Sequence, residues 1–179
     1  MPHSKIHDLR WTGTVTKEAD VLGHRATFDV KDYVSDALNP SHLYATKCEA
    51  VFVLNKSSGT LAKGRRVLPS TTASYYPPVA VAGLGGAEVP FAGVVSPFIA
   101  GATVADGAGF WLIVKGLTYM GYDGSANFAI GDDLATAANG TIAEWSDYTD
   151  IFVGYSAAAK TSGSAGDLHL SYLCCNTCY

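Results

Sequence analysis

Short apolar runs, each closed by a glycine, a proline or an Asn/Asp/Ser turn, recur along most of this chain. The turn signals return about every ten residues, which is typical of β-sandwiches and barrels. No stretch keeps a helical period of apolar residues beyond about two turns, and residues 134–138 have room for one turn of helix at most. The pattern predicts strands at residues 25–30, 48–54, 65–68, 79–82, 117–122, 141–145, 150–156 and 168–173, with two more inside 91–116.

These elements predict an all-β fold: a compact β-sandwich or β-barrel-like domain with an extended N-terminal arm and little helix. Residues 1–24 show no clean period and are interpreted as an arm that depends on something else for order. Residues 25–173 are predicted to form a single β-domain. Within it, residues 69–78 are predicted to be a Pro/Tyr loop, because prolines remove backbone donors and fix φ. Residues 174–179 form a Cys-containing tail.

Aromatic residues in the arm and the loop indicate where the chain meets partners. Tyr and Trp bury a large area while keeping a polar group, and both are enriched at protein interfaces. The predicted interface candidates are Trp11, Tyr75, Tyr76, Pro77 and Pro78. Three other aromatic residues are expected in the core: Trp111, Tyr119 and Phe128.

Low charge narrows the classes of partner. Of the 179 residues, 48% are hydrophobic and 16% charged, with a net charge of −4, where about 25% charged is usual. A nucleic-acid binder normally shows a basic face, and the pair Arg65 and Arg66 is read as a solvated turn, so no nucleic-acid partner is expected. No segment approaches the ~18 consecutive apolar residues of a membrane helix. The first residues lack the apolar core of a secretory signal, which favours a reducing cytosol as the place of synthesis.

Four cysteines raise the question of a metal or a redox centre. Cys175 and Cys178 have C-x-x-C spacing next to Cys174, but a zinc site usually needs a second separated pair. A thioredoxin-type motif needs a helix after its first cysteine, and one residue follows Cys178. We therefore interpret the tail cysteines as idle thiols and expect neither a metal nor a cofactor, while their free, bridged or metal-bound state stays open.

Candidate catalytic groups are few. Asp132 and Asp133, with Asp106, form the one tight acidic grouping, but neighbouring strand residues point to opposite faces. A turn whose Asp side chain caps the backbone is the simpler interpretation. No Gly-x-Ser-x-Gly nucleophile elbow occurs. We therefore expect that the chain is not an enzyme.

The order of small motifs resembles the bacteriophage head decoration, or capsid cement, family of small β-domains. Each motif is a glycine turn next to a Val-rich strand, and the series runs through roughly residues 48–173. The segments that carry it are 57–67, 92–95, 107–116, 130–134, 152–157 and 166–173. The chain departs from the family pattern in its longer N-terminal arm, the insertion at 69–78 and the Cys-rich tail.

The resemblance implies a structural virion protein that sits on the exterior of an icosahedral head and is made in the host cytoplasm. It would bind across neighbouring major capsid subunits, as a homo-oligomer with a trimer favoured, and resist internal DNA pressure. On this hypothesis residues 1–24 lie along a neighbouring subunit, so deleting them is expected to reduce occupancy on heads while the domain stays folded.

Two other functions remain open at the level of the sequence. One is a carbohydrate- or receptor-binding β-sandwich module of a virion, such as a tail or fibre, which exposed Trp or Tyr on a concave face favours. The other is a subunit of another viral shell with its own jelly-roll core. An enzyme needs a convergent polar pocket that the sequence does not display.

Overall fold

The computed structural model describes residues 8–15, 21–33, 46–70, 80–86, 91–125, 127–146, 150–161 and 163–174. Within these ranges the chain is built from strands and two 3₁₀ turns, Val30–Tyr33 and Ala138–Gly140, which confirms the predicted all-β class. The strands are β1 Thr12–Thr14, β2 Arg25–Asp29, β3 Lys47–Asn55, β4 Leu61–Ala62, β5 Arg66–Pro69, β6 Ala80–Leu84, β7 Gly93–Val95, β8 Thr103–Val104, β9 Ala108–Gly121, β10 Asp133–Thr136, β11 Ile142–Glu144, β12 Phe152–Ser156 and β13 Leu168–Leu173.

Five strands close on themselves. From β9 the hydrogen-bonded order runs through β7, β5, β6 and β3 and returns to β9. The pairs are antiparallel except β3 with β6, which is parallel. Closure leaves no open edge within this ring of five strands. Its interior holds one apolar cluster, whose members include Val51, Val53, Leu61, Val67, Val81, Val95, Ile99, Phe110 and Leu112.

Strand β9 is a wall shared by two cores. Phe110, Leu112 and Val114 face the interior of the ring, whereas Trp111 and Ile113 belong to a second cluster on the other face of the strand. This division follows from the period of two along a strand. All five side chains are at most 3% exposed, because both faces of this part of β9 are covered.

The second core lies under an outer layer of strands. β13 pairs with residues Gly116 to Gly121 of β9, and the order then continues through β12 and β10 to β11 at the edge. Leu134, Val153 and Leu170 of these strands are buried in the second cluster. The outer layer is therefore held to the ring through β9.

The structure corrects two predicted elements. Residues 108–121 form one 14-residue strand, where the sequence predicted two strands divided at Gly116. Gly116 has φ +94°, and a Cβ there would collide with the backbone of Lys47 and Cys48, so this glycine allows a close approach of β3 and does not end the strand. Residues 133–136 form strand β10, where the sequence predicted at most a turn of helix.

The described part of the segment predicted as an arm packs on the domain. Thr12–Thr14 pairs with β9, and Leu9 is fully buried. Its carbonyl oxygen accepts a 2.7 Å hydrogen bond from the buried Ser96 hydroxyl. Removing residues 1–24 would therefore take away part of the core. Residues 1–7 and 16–20 lie outside the described ranges.

Arg66, which the sequence placed in a solvated turn, is fully buried. Its guanidinium donates to the carbonyl oxygens of Ala137 at 2.6 Å and Thr141 at 2.9 Å, and lies 5.3 Å from the centre of the Phe91 ring. Two carbonyl oxygens thus accept hydrogen bonds from the Nε and Nη2 groups of a buried cation, in place of a carboxylate. The side chain thereby joins the ring of strands to the segment between β10 and β11.

Candidate interaction surface

Three aromatic side chains lie together on the face of β10, β11 and β12 that points away from the second core. Asp133 pairs with Tyr155 and Ala135 pairs with Phe152, so β12 holds one residue more than β10 between these positions. Such a β-bulge brings residues three apart onto the same face. Phe152 and Tyr155 therefore share the outer face while Val153, between them, is fully buried in the core.

The rings of this aromatic face form a continuous contact. The Phe152 ring centre lies 5.8 Å from that of Trp145 and 5.1 Å from that of Tyr155, with edge-on geometry. The face stays open to solvent, since Tyr155 is 42% exposed. Exposed apolar groups gathered in one patch mark interaction sites more than the same groups scattered singly.

Small residues make room for the rings. Ala135 lies in one row between Ala143 on β11 and Phe152 on β12. It is only 1% exposed, although its neighbour Leu134 is the residue that enters the core. Ala135 and Phe152 lie on the same face of the sheet, since directly paired residues point to one side.

The segment that carries the aromatic face is acidic. Residues 116–159, which include β10, β11 and β12, contain six carboxylates and no lysine or arginine, whereas the rest of the chain has 12 cationic and 10 acidic residues. The carboxylates are Asp123, Asp132, Asp133, Glu144, Asp147 and Asp150, of which Asp147 lies outside the described ranges. This segment is therefore the acidic part of a chain whose remainder is close to neutral.

Asp133 is placed between two members of the aromatic face. Its backbone carbonyl accepts a 3.0 Å hydrogen bond from the Trp145 amide, and it is the cross-strand partner of Tyr155. Side chains of such a pair have Cβ atoms about 5 Å apart. The Asp133 side chain is exposed, so its carboxylate is presented to solvent beside two aromatic rings.

The other acidic groups of the layer have local roles. Asp132 Oδ2 accepts a 2.6 Å hydrogen bond from the Ala129 amide, as predicted for an Asp that caps a turn. Asp150 Oδ2 accepts from the amide and the hydroxyl of Ser146, which ties the segment between β11 and β12. Glu144 is exposed on the edge strand, opposite the buried Leu134.

The predicted acidic grouping is not assembled. Asp106 accepts a 3.1 Å hydrogen bond from the Ser58 amide in a turn beside the ring, while Asp132 caps its own turn in the outer layer. Among the described residues, no group of three or more His, Cys, Asp or Glu side chains is arranged to hold a metal ion.

One buried Ser–His pair was not predicted from the sequence. Ser156 Oγ lies 2.8 Å from His169 Nε2 and donates its own proton to the Ala158 carbonyl at 2.7 Å. The histidine nitrogen must then donate to the serine, which is the reverse of the arrangement that activates a nucleophile. Burial, with the charge of Lys160, lowers the pKa of His169 to about 4, so the imidazole is neutral at pH 7.

Of the five predicted interface residues, the described ranges include Trp11 alone. Trp11 is half-buried and packs with its ring centre 5.2 Å from that of Phe52, on the second core of its own chain. Tyr75, Tyr76, Pro77 and Pro78 lie outside the described ranges. Of the predicted core aromatics, Trp111 and Phe128 are buried and Tyr119 packs partly buried against the same cluster.

The remaining features are modest. A shallow pocket of about 190 Å³ lies over β2 and β3, where Arg25, Thr27 and Glu49 line it. Cys48 is buried and Cys174 exposed, and the other two cysteines lie outside the described ranges. In the part of the chain that is described, no helix is long and apolar enough to cross a membrane.

Comparison with known proteins gives a likeness in structure and none in sequence. Neither protein-family models nor curated proteins match the chain. Among solved structures, the fold partly overlaps the N base of the head fiber gp8.5 of bacteriophage phi29, with a TM-score of 0.46 and 13% sequence identity. The overlap covers 69% of this chain and 92% of that one. At this identity no residue role passes from that protein to this chain.

Proposed function

We propose that the chain is a structural protein of a phage virion, which decorates the outside of the head by binding across neighbouring major capsid subunits. The observation that carries this proposal is the aromatic face, an exposed patch on a strand layer that a closed ring holds in place. Exposed aromatic side chains on a rigid sheet form a contact surface at small entropic cost, because few torsions become fixed on binding.

The family resemblance supports the same function from the sequence side. The motif at 107–116 lies in β9, the wall between the two cores, and those at 130–134 and 152–157 contribute to β10 and β12. The motifs thus belong to elements that pack together. The partly overlapping head fiber structure is, by its own description, a phage head component. We further propose that the chain acts without catalysis and assembles as a homo-oligomer, with a trimer favoured.

Co-sedimentation tests this function directly. Purified protein would be mixed with heads of the phage that encodes it, taken before and after expansion, and pelleted. We expect saturable binding to expanded heads and little to unexpanded ones, since subunit junctions differ between the two. Absence of binding to both kinds of head would overturn the proposal, as would assembly of the protein alone into shells. Light scattering after gel filtration measures the oligomeric state.

A carbohydrate-binding virion module is the second candidate, and the same aromatic face favours it. Flat rings stack on the apolar faces of sugars, and nearby carboxylates accept hydrogen bonds from hydroxyl groups. A glycan array decides between the two functions. Binding of a defined glycan that is lost in Tyr155→Ala would establish this candidate, whereas silence on the array with tight binding to heads would reject it.

A further inference from the structure

The charge around the aromatic face selects the chemistry of its partner. We propose that this face binds an arginine-bearing segment of a neighbouring protein of the head. The inference rests on the proposed function and names the partner chemistry of its contact surface. Residues 116–159 contain six carboxylates and no lysine or arginine of their own, and a cationic partner is the electrostatic complement of this segment.

Geometry favours arginine over other cations. A guanidinium is planar, pairs with a carboxylate through parallel hydrogen bonds and stacks on aromatic rings. Asp133 presents an exposed carboxylate between Trp145 and Tyr155. Among the described residues the structure gives this carboxylate no hydrogen-bond or ion-pair partner from its own chain. A guanidinium at Asp133 would therefore meet a charge and two ring systems at the same place.

The same features disfavour other occupants. Nucleic acid and anionic surfaces are repelled by the layer, since like charges brought together cost free energy. A neutral glycan gains no binding free energy from the net negative charge of this segment. A second copy of this chain would bring a remainder with 12 cationic and 10 acidic residues, which is nearly balanced and complements the acidic layer poorly.

A pair of synthetic peptides tests the partner chemistry without any head protein. The probe is a fluorescent 12-residue Gly/Ser peptide with four arginines, and its control carries citrulline, the neutral isostere, at those positions. Fluorescence polarisation with the full-length protein should show binding of the arginine peptide, several-fold weaker at high salt because exposed charges are screened. Equal binding of the two peptides, or none of either, would overturn the inference.

Variants locate the binding on the aromatic face. Asp133→Asn should weaken binding of the arginine peptide on the order of fivefold, and Asp133→Lys by more. Tyr155→Thr, which keeps a strand-forming residue, should weaken it by a similar factor. The matched control is Asp32→Asn: Asp32 is exposed in the 3₁₀ turn after β2, so the variant has the same net charge change away from the face. Equal effects of Asp32→Asn and Asp133→Asn would overturn the assignment to this face.

Binding to heads separates this inference from the proposed function. If wild-type protein binds expanded heads and Asp133→Lys binds them equally well, the face is not the contact and the inference fails while decoration stands. If the arginine peptide binds at the face but heads are not bound, decoration fails and the preference of the face for arginine stands. Loss of head binding in Asp133→Lys, with circular dichroism and melting temperature unchanged, supports both.

Discussion

Two buried side chains give this protein measurable properties at the scale of single residues, one through thiol reactivity and one through protonation. Cys48 lies on β3 with 1% of its surface exposed, and His169 lies on β13 with 3% exposed. Both groups have a charged form that water would stabilise and that the interior does not. The reactivity of Cys48 and the protonation of His169 therefore each report on whether water reaches the interior around that side chain.

Cys48 should resist alkylation in the folded protein. Burial raises the pKa of its thiol to about 12, so near pH 8 only about one thiol in ten thousand is ionised, and the thiolate is the nucleophile. Mass spectrometry after brief iodoacetamide treatment should find Cys174, which is exposed, modified and Cys48 unmodified. In urea both should react. Rapid native labelling of Cys48 would show that the second core opens at this strand.

The free energy of unfolding should fall as pH drops from about 6.5 towards 4. The folded pKa of His169, about 4, is below its ordinary value of 6.5, so the unfolded chain binds more protons in that window. The contribution of neutral His169 to the free energy of unfolding is thus fully present above pH 6.5. It is lost on acidification, by up to about 1.4 kcal/mol per pH unit and about 3 kcal/mol in all. Urea denaturation at several pH values measures this change.

His169→Gln is the control for that titration. Glutamine keeps a donor for Ser156 Oγ but cannot be protonated, so the variant should be less stable at pH 7 yet show a flatter profile between pH 6.5 and 4. A profile as steep as that of the wild type would mean that other groups cause the acid sensitivity.

At the scale of elements, β9 depends on a glycine in its middle. Gly116→Ala should destabilise the protein by more than 2 kcal/mol, because φ is +94° and the new Cβ would lie 2.9 Å from Cys48 Cα. Gly107→Ala is the matched control, since φ is +75° there but no atom lies within 4 Å of the new Cβ. The control should lose only about 1–2 kcal/mol. Thermal and urea denaturation of both variants measure the difference, and equal losses would contradict the clash.

Most of the longer strands were predictable from the sequence, whereas the continuity of β9 and the bulge in β12 were not. Leu168–Leu173 and the run in β3 were found from alternating or continuous apolar residues, which the structure confirms. The division at Gly116 was wrong because glycine usually ends a strand in sequence patterns, whereas here it admits a neighbouring backbone. The bulge in β12 has no local signature, so Phe152 and Tyr155, three residues apart, gave no sign of sharing a face.

The uneven distribution of charge along the chain could have been found from the sequence, because residues 116–159 contain no lysine or arginine. Net charge over the whole chain concealed it. By contrast, the burial of Arg66 depends on carbonyl oxygens more than 70 residues away, which no local pattern reveals. An adjacent arginine pair is usually solvated, and here one member is buried.

At the scale of the whole molecule, Arg66 connects the ring to the outer layer. Arg66→Met keeps much of the aliphatic volume but leaves the carbonyls of Ala137 and Thr141 without this donor, which should cost about 2–4 kcal/mol. Hydrogen exchange should show faster exchange at residues 137–141 than in β9. Arg65→Met is the control: Arg65 makes one 3.2 Å bond to the Asn139 carbonyl and is partly exposed. A smaller loss in Arg66→Met than in Arg65→Met would contradict the connection.

The closed ring of β9, β7, β5, β6 and β3 also bears on how such a protein evolves. Its apolar interior is complete without any side chain of β10, β11 or β12. Substitutions at Trp145, Phe152 or Tyr155 are remote from that interior, and effects at distant sites tend to be independent. The outward-facing positions of these strands can thus diversify while the ring persists unaltered, and on the proposed function the contact surface can follow a changing partner.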